Sequence, residues 1–361
     1  MFAMFTFRQF MMLLKLNNII IFALTALFLA LILYPLYIRF LKAHKAGQQI
    51  REASVTGEKS PIFTQMHQHK SWTPTMWGGL ILVIMAIMVI WSVALQQYGV
   101  IKYSLFERSE TYILVFGLFS MGLIGLIDDI LNIKGVGKIK GLSAKAKLIW
   151  MFLFAGFISR WFYWKLGVDY INFWPIAGKI HLGIIAPIIT FVLTISIVNA
   201  INITDGLDGL AGGLVSIIFF VLWVITFFNQ TYLATTLVAI MIACLLAFMF
   251  YNIYPAKIFM GDSWALAIGG LLATLLYTLN MRMWILIPFI FMFLLFIIDT
   301  ASSFIQILSK KYLKKKVFAT SPLHHLFEYK WVHEATIVMK AWLLQAFLAA
   351  ITIIALFYQI A

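Results

Sequence analysis

An all-α protein that crosses a membrane about ten times is what this sequence predicts, and three observations carry that expectation. Hydrophobic residues fill 63% of the 361 positions and charged residues only 11%, far too apolar for a soluble domain of this length. The apolar residues form unbroken runs of about twenty, the length a helix needs to cross hydrocarbon. The runs are continuously apolar instead of alternating, which argues against strands, and an open sheet cannot satisfy its backbone in lipid.

The first run covers roughly 18–41 and follows Arg8 and Lys15. Its start resembles a signal peptide, but no small-residue cleavage site follows and the run is long enough to span, so a retained helix is expected. Further spans are expected at about 75–95, 111–131, 146–165, 181–201, 209–228, 232–252, 262–281, 284–308 and 336–359. An even number of spans puts both termini on one side. No internal repeat is visible, and residues 1–361 read as a single integral membrane domain. Its connecting loops of interest lie at about 42–74, 132–145, 202–208, 253–261 and 309–335.

Orientation follows from the positive charge. Eighteen of the 27 Lys and Arg residues lie in the loops after odd-numbered spans, so by the positive-inside rule those loops are cytoplasmic and the termini face outward. The formal net charge of +14 therefore reads as membrane orientation and attraction to anionic lipid or phosphorylated substrates, with no nucleic acid as a partner. The lysine run 310–316 fits such an anchor. The single cysteine, Cys244, lies in an apolar run and provides no disulfide framework or cysteine metal site.

The acids gather on the same side. Asp128, Asp129, Asp205, Asp208, Asp262, Glu328 and Glu334 all fall at cytoplasmic span ends or in cytoplasmic loops. Charged groups at a membrane edge are costly and are usually there for chemistry or transport. Asp128 and Asp129 are adjacent and repel each other, which calls for a cation or a proton, and negative charge at a helix C-terminus opposes the helix dipole. Asp205 and Asp208 share a helix face or cap the next helix, and capping accounts for only one of them. Asp262 opens a span, where it is either an N-cap or, with its neighbours, a Mg²⁺ ligand. His324 and His325 are adjacent, which does not suit a simple zinc site but does suit donation to phosphate oxygens. Asp299, deep in an apolar run beside Thr300, Ser302 and Ser303, is expected to pack with those hydroxyls. Carboxylates able to hold Mg²⁺, with Lys70, Lys138 and Lys140 on the same side, make a site for a diphosphate. No P-loop opens a nucleotide domain.

The motifs together resemble a known family. Thr73-Pro-Thr-Met76, Asp128-Asp129, Lys140-Gly-Leu, Asn199-Ala-Ile-Asn202-Ile-Thr-Asp205-Gly-Leu-Asp208-Gly, Asn252-Ile-Tyr-Pro-Ala, Phe259-Met-Gly-Asp262 and Ser321-Pro-Leu-His-His325 are similar to the phospho-N-acetylmuramoyl-pentapeptide transferases. These belong to the polyprenyl-phosphate N-acetylhexosamine-1-phosphate transferase superfamily. The resemblance implies transfer of phospho-MurNAc-pentapeptide from UDP-MurNAc-pentapeptide to undecaprenyl phosphate, giving lipid I and UMP in peptidoglycan synthesis. It implies Mg²⁺, a homodimer and a bacterial inner-membrane enzyme working at the cytoplasmic face. Carried onto this chain, Asp128 and Asp129 would handle the lipid phosphate, with Asp128 the candidate base. Asp262 would bind Mg²⁺, and Asp205 would lie in the cleft with His324 and His325. Asp208, Asn252 and Phe259 would contact the uridine, Lys70 and Lys140 the diphosphate, and Thr75, Asn199 and Asn202 would also bind substrate. The chain departs from the family at Leu326, where a third His is usual, at Trp77, and at Ser263-Trp264-Ala265.

Two other readings compete. A relative using another UDP-sugar would share the Asp motifs. A cation-coupled transporter would place its acids near the bilayer midplane on broken helices, whereas here all but Asp299 and the outward-facing acids sit at the cytoplasmic edge.

Overall fold

The computed structural model describes residues 2–44, 46–47, 74–76, 78–135, 141–173 and 177–357. Lys70, Thr73, Trp77, Lys138 and Lys140 lie outside the described residues. Among the described residues the fold is all-α apart from one hairpin. In order it forms α1 (Phe2–Ala43), α2 (Gly78–Gln97), α3 (Ser109–Ile133) and α4 (Ala144–Arg160), which runs on as a π-turn (Trp161–Lys165). After the hairpin β1 (Tyr170–Phe173) and β2 (Gly178–His181) come α5 (Ile185–Thr204), α6 (Leu210–Phe228), α7 (Tyr232–Asn252) and α8 (Gly261–Asn280). The remainder is α9 (Leu286–Met292), α10 (Leu294–Leu308) with a π-turn (Ser309–Leu313), α11 (Leu323–Tyr329) and α12 (Glu334–Phe357).

Nine of the ten expected spans correspond to a helix or helix pair able to cross a membrane. Among the described residues eight helices are long and apolar enough to cross a membrane, and the pair α9 and α10 makes a ninth, bent by 72°. The remaining span is α4, whose 17 α-helical residues fall short alone and are extended by the five of the π-turn. A break inside a span leaves carbonyls without helical partners, and hydrocarbon offers none. At this one Gln345 of α12, fully buried, donates to the Met292 carbonyl at 2.8 Å.

Burial grades outward from α8. In its most apolar stretch 94% of residues are buried, against 28% for α1 and for α12. The rim helices turn large apolar side chains outward, such as Phe28 on α1 and Leu343 and Phe347 on α12, as lipid-facing surfaces do. The most extensive helix packing among the described residues is α3 against α8. A Cβ at Gly125 would lie 2.3 Å from the Asp262 carbonyl oxygen, and Gly117 and Gly270 face each other at similar range. Small residues let backbones approach this closely in a membrane. That approach brings the acidic end of α3 against the start of α8.

The hairpin was not foreseen in a sequence read as helical throughout. Its strands pair antiparallel with Tyr170 opposite His181 and Phe173 opposite Gly178. Asn280, at the end of α8, accepts from the Asn172 N–H at 3.0 Å and donates to the Tyr170 carbonyl at 3.2 Å. This fixes the hairpin at the end of α8 opposite the acids.

Candidate active site

Asp129 shows how the site is built. One oxygen accepts from the backbone N–H of Asp262 at 3.1 Å and the other from that of Ser263 at 3.0 Å. Those are orphan donors of the first turn of α8, so the helix is capped by a carboxylate from α3 and not by its own Asp262. Gly261 has φ +73°, and a Cβ there would come within 2.9 Å of Asp129 Oδ2 and 3.0 Å of Thr75 Oγ1. A glycine is needed on both counts. With the capping done by Asp129, the Asp262 side chain is left for other use.

Asp262 turns that side chain into a polar cluster. Its Oδ1 accepts from Asn202 Nδ2 at 2.5 Å, and its Oδ2 makes a short contact with the Lys147 ammonium. The same ammonium lies 3.0 Å from Asp128 Oδ2, while Asp128 Oδ1 accepts from the Leu142 N–H at 2.5 Å. Asp128 on α3, Lys147 on α4, Asn202 on α5 and Asp262 on α8 thus converge on one point. Lys147 was not picked out from the sequence, where it counted only as a positive-inside residue. A signal was present: Ser143 caps α4 through the Ala146 N–H at 3.1 Å, so Lys147 sits in the first turn, where the helix dipole disfavours a cation.

Asp205 ends α5 beside this cluster. Burial, and then the charges of Asp262, Asp129 and Asp208, push its proton affinity up to about 8, into the range a proton acceptor needs near neutral pH. Neither Asp205 nor Asp208 caps α6, whose cap position is Gly209.

Asp208 and Asn252 are found holding loops. The Asp208 N–H donates to Glu334 at 2.6 Å, and its Oδ2 accepts from the Ala256 N–H at 2.9 Å. Asn252 accepts from the Gly209 N–H at 3.1 Å and donates to the Ile258 carbonyl at 2.9 Å. The Phe259 N–H reaches the Pro74 carbonyl at 2.8 Å, and Phe259 itself is half-buried. These bonds stitch the 205–209 and 253–260 loops to α12 and to the segment carrying Thr75. Asn199 donates back to the Ile195 carbonyl of its own helix at 2.9 Å.

The histidines are set from another side. His324 Nδ1 lies 2.8 Å from Asp299 Oδ2, and the His324 N–H donates to Asp299 Oδ1 at 3.2 Å. His325 Nδ1 pairs with Glu328 at 3.1 Å, and the two imidazole rings are 4.2 Å apart. Asp299 therefore does more than pack against the hydroxyls beside it. Ser302 donates to its backbone carbonyl, and Thr300 Oγ1 has no hydrogen-bond partner among the described residues.

No group of three or more His, Cys, Asp or Glu among the described residues is arranged to hold a metal ion. Mg²⁺ asks for less, since it is commonly held by one or two carboxylates together with water and substrate phosphates. Asp128 and Asp262 already turn one oxygen each toward a single cation, the Lys147 ammonium. That donor set fits Mg²⁺.

A helical membrane protein with its acids gathered at one end of the bundle defines a class, and sequence comparison specifies it. The model of glycosyl transferase family 4 matches residues 111–280, from α3 through α8, and the chain is a transferase. Phospho-N-acetylmuramoyl-pentapeptide-transferase of Thermoanaerobacter sp. (strain X514) is 36% identical over 347 residues, covering 95% of this chain and 98% of the relative. The proteins of that name from Staphylococcus carnosus (33% identical; 90% of this chain, 95% of the relative) and Clostridium beijerinckii (34%; 91% and 93%) are similar over nearly their whole length. The chain belongs to the phospho-N-acetylmuramoyl-pentapeptide-transferase family.

Proposed function

We propose that this protein transfers phospho-MurNAc-pentapeptide from UDP-MurNAc-pentapeptide to undecaprenyl phosphate in the bacterial inner membrane, with Mg²⁺, giving lipid I and UMP at the cytoplasmic face. An oxygen of the lipid phosphate attacks the phosphorus that bears the sugar. A new phosphoanhydride bond forms, and the bond from that phosphorus to the bridging oxygen breaks, its electron pair leaving with UMP. Such a transfer needs positioning and charge neutralisation more than covalent help from protein. The observation that carries the reading is the convergence of Asp128 and Asp262 on Lys147, with Asn202 holding the other oxygen of Asp262. The names of the relatives support this choice of donor.

In this reading Asp262, with Asp128, holds Mg²⁺, which when bound neutralises charge on the diphosphate. Lys147, between the two carboxylates, would meet a phosphate oxygen of the diphosphate. Asp129 keeps α8 in place, and Asp205, which keeps its proton up to about pH 8, lines the site beside them. Lys70 and Lys140 serve the diphosphate, and Asp208, Asn252 and Phe259 form the wall that meets the uridine. The homodimer rests on the family resemblance.

The test is UMP release by the purified protein in detergent with undecaprenyl phosphate and Mg²⁺. Turnover with UDP-MurNAc-pentapeptide and none with UDP-N-acetylglucosamine is expected, falling by about a hundredfold or more in Asp262→Asn and in Lys147→Gln. Turnover with UDP-N-acetylglucosamine alone would keep the class and overturn the donor. A folded protein that uses neither refutes the reading.

A further inference from the structure

Asp299 spends both carboxylate oxygens on one residue. Oδ2 faces His324 Nδ1 at 2.8 Å and Oδ1 takes the His324 N–H at 3.2 Å, so the acid fixes the ring and the backbone that carries it. The pair is dry, with the two side chains 4% and 9% exposed. An ionised carboxylate only accepts, so Nδ1 carries its proton and the open valence of the ring falls on Nε2.

That nitrogen is buried and has no hydrogen-bond partner among the described residues. Folded proteins rarely leave such an atom unpaired unless something absent completes it. Its direction is defined by the 205–208 loop: a Cβ built on Gly206 would lie 2.2 Å from Nε2. The ring edge therefore presses on Gly206, next in the chain to Asp205. The bend between α9 and α10 sets the angle of the half-span that delivers Asp299.

Resting on the transferase reading, we propose that Asp299 is a positioning residue: it holds His324 in the Nδ1–H form so that Nε2 is the atom offered to a phosphate oxygen of the bound diphosphate. Asp299 itself touches no substrate. His324 makes the contact, donating through Nε2 when the ring is charged.

The test pairs kinetics with ¹⁵N spectra of the seven histidines, His324 being assigned by the loss of its signals in His324→Gln. The wild-type protein should show Nδ1–H at His324, and adding UDP-MurNAc-pentapeptide with Mg²⁺ should shift Nε2 while Nδ1 stays in place. Asp299→Asn should mix the ring forms and lower kcat about a hundredfold with KM within threefold, and Asp299→Glu should recover activity to within tenfold of wild type. A wild-type His324 protonated on Nε2 alone overturns the proposal without any variant. So does Asp299→Asn with kcat within threefold of wild type, or an Nε2 signal unmoved by substrate in an active preparation. A wild-type protein with the Nδ1–H ring but no turnover of any UDP-sugar strikes the transferase reading and leaves the pairing standing.

Discussion

Asp205 holds its proton to about pH 8 in the folded protein, against an ordinary value of 3.8, because burial and then three neighbouring acids disfavour its charge. The sign follows from linkage: the unfolded chain releases this proton near pH 4 and the folded chain near 8. The contribution of Asp205 to stability is therefore complete below about pH 4 and is lost as pH climbs toward 8. With chelator present, the midpoint of thermal unfolding should fall between pH 5 and 9, and Asp205→Asn should flatten that slope. A wild-type midpoint independent of pH, or a slope unchanged in the variant, would remove Asp205 as its source. The sequence made this acid conspicuous, together with Asp128, Asp129, Asp208 and Asp262, because acids at a membrane edge are rare. It gave no pairing for them. Lys147 was lost among the positive-inside residues, and Asp299 took its significance from His324, 25 positions away, which no local pattern reveals.

Among the elements, the α3–α8 contact decides whether a site exists. Gly125→Ala places a methyl group against the Asp262 backbone, and overpacking of this kind costs about 1–3 kcal/mol. It should lower the unfolding midpoint and reduce turnover at least tenfold. Gly156→Ala on α4, where a Cβ meets nothing within 4 Å, should change neither. Equal behaviour of the two variants in melting and turnover would show that the close approach is dispensable. All the spans were legible because each is an apolar run of crossing length. The bend after Met292 was not, since Pro288 stands five residues before Phe293 and residues 284–308 read as one run; the compensating group is Gln345, on another helix. The hairpin escaped for the opposite reason, as four-residue strands are too short for a period to declare itself.

The whole molecule wears its apolar side chains outward on α1 and α12 and keeps α8 at the centre. Its orientation is a statement about loops. Lysines 310, 311 and 314–316 follow α10, whereas the hairpin sits at the opposite end of α8 from the acids. In intact cells a membrane-impermeant maleimide should label Lys179→Cys and spare Lys315→Cys, while the native Cys244 stays silent because it is buried. Labelling of Lys315→Cys with Lys179→Cys spared would turn the protein over and move the acids to the outer face.

Because the carboxylate of Asp129 must find backbone donors at Asp262 and Ser263, assembly of the reaction centre has an earliest possible moment. A chain still emerging from the ribosome has Asp128, Lys147 and Asp205 in place several spans before α8 arrives to be capped. Until then the acids have no opposing wall and no shared cation. Newly made copies are therefore silent until the central helix docks and α11 then brings His324 to Gly206, so a truncated product does not become a partly active one.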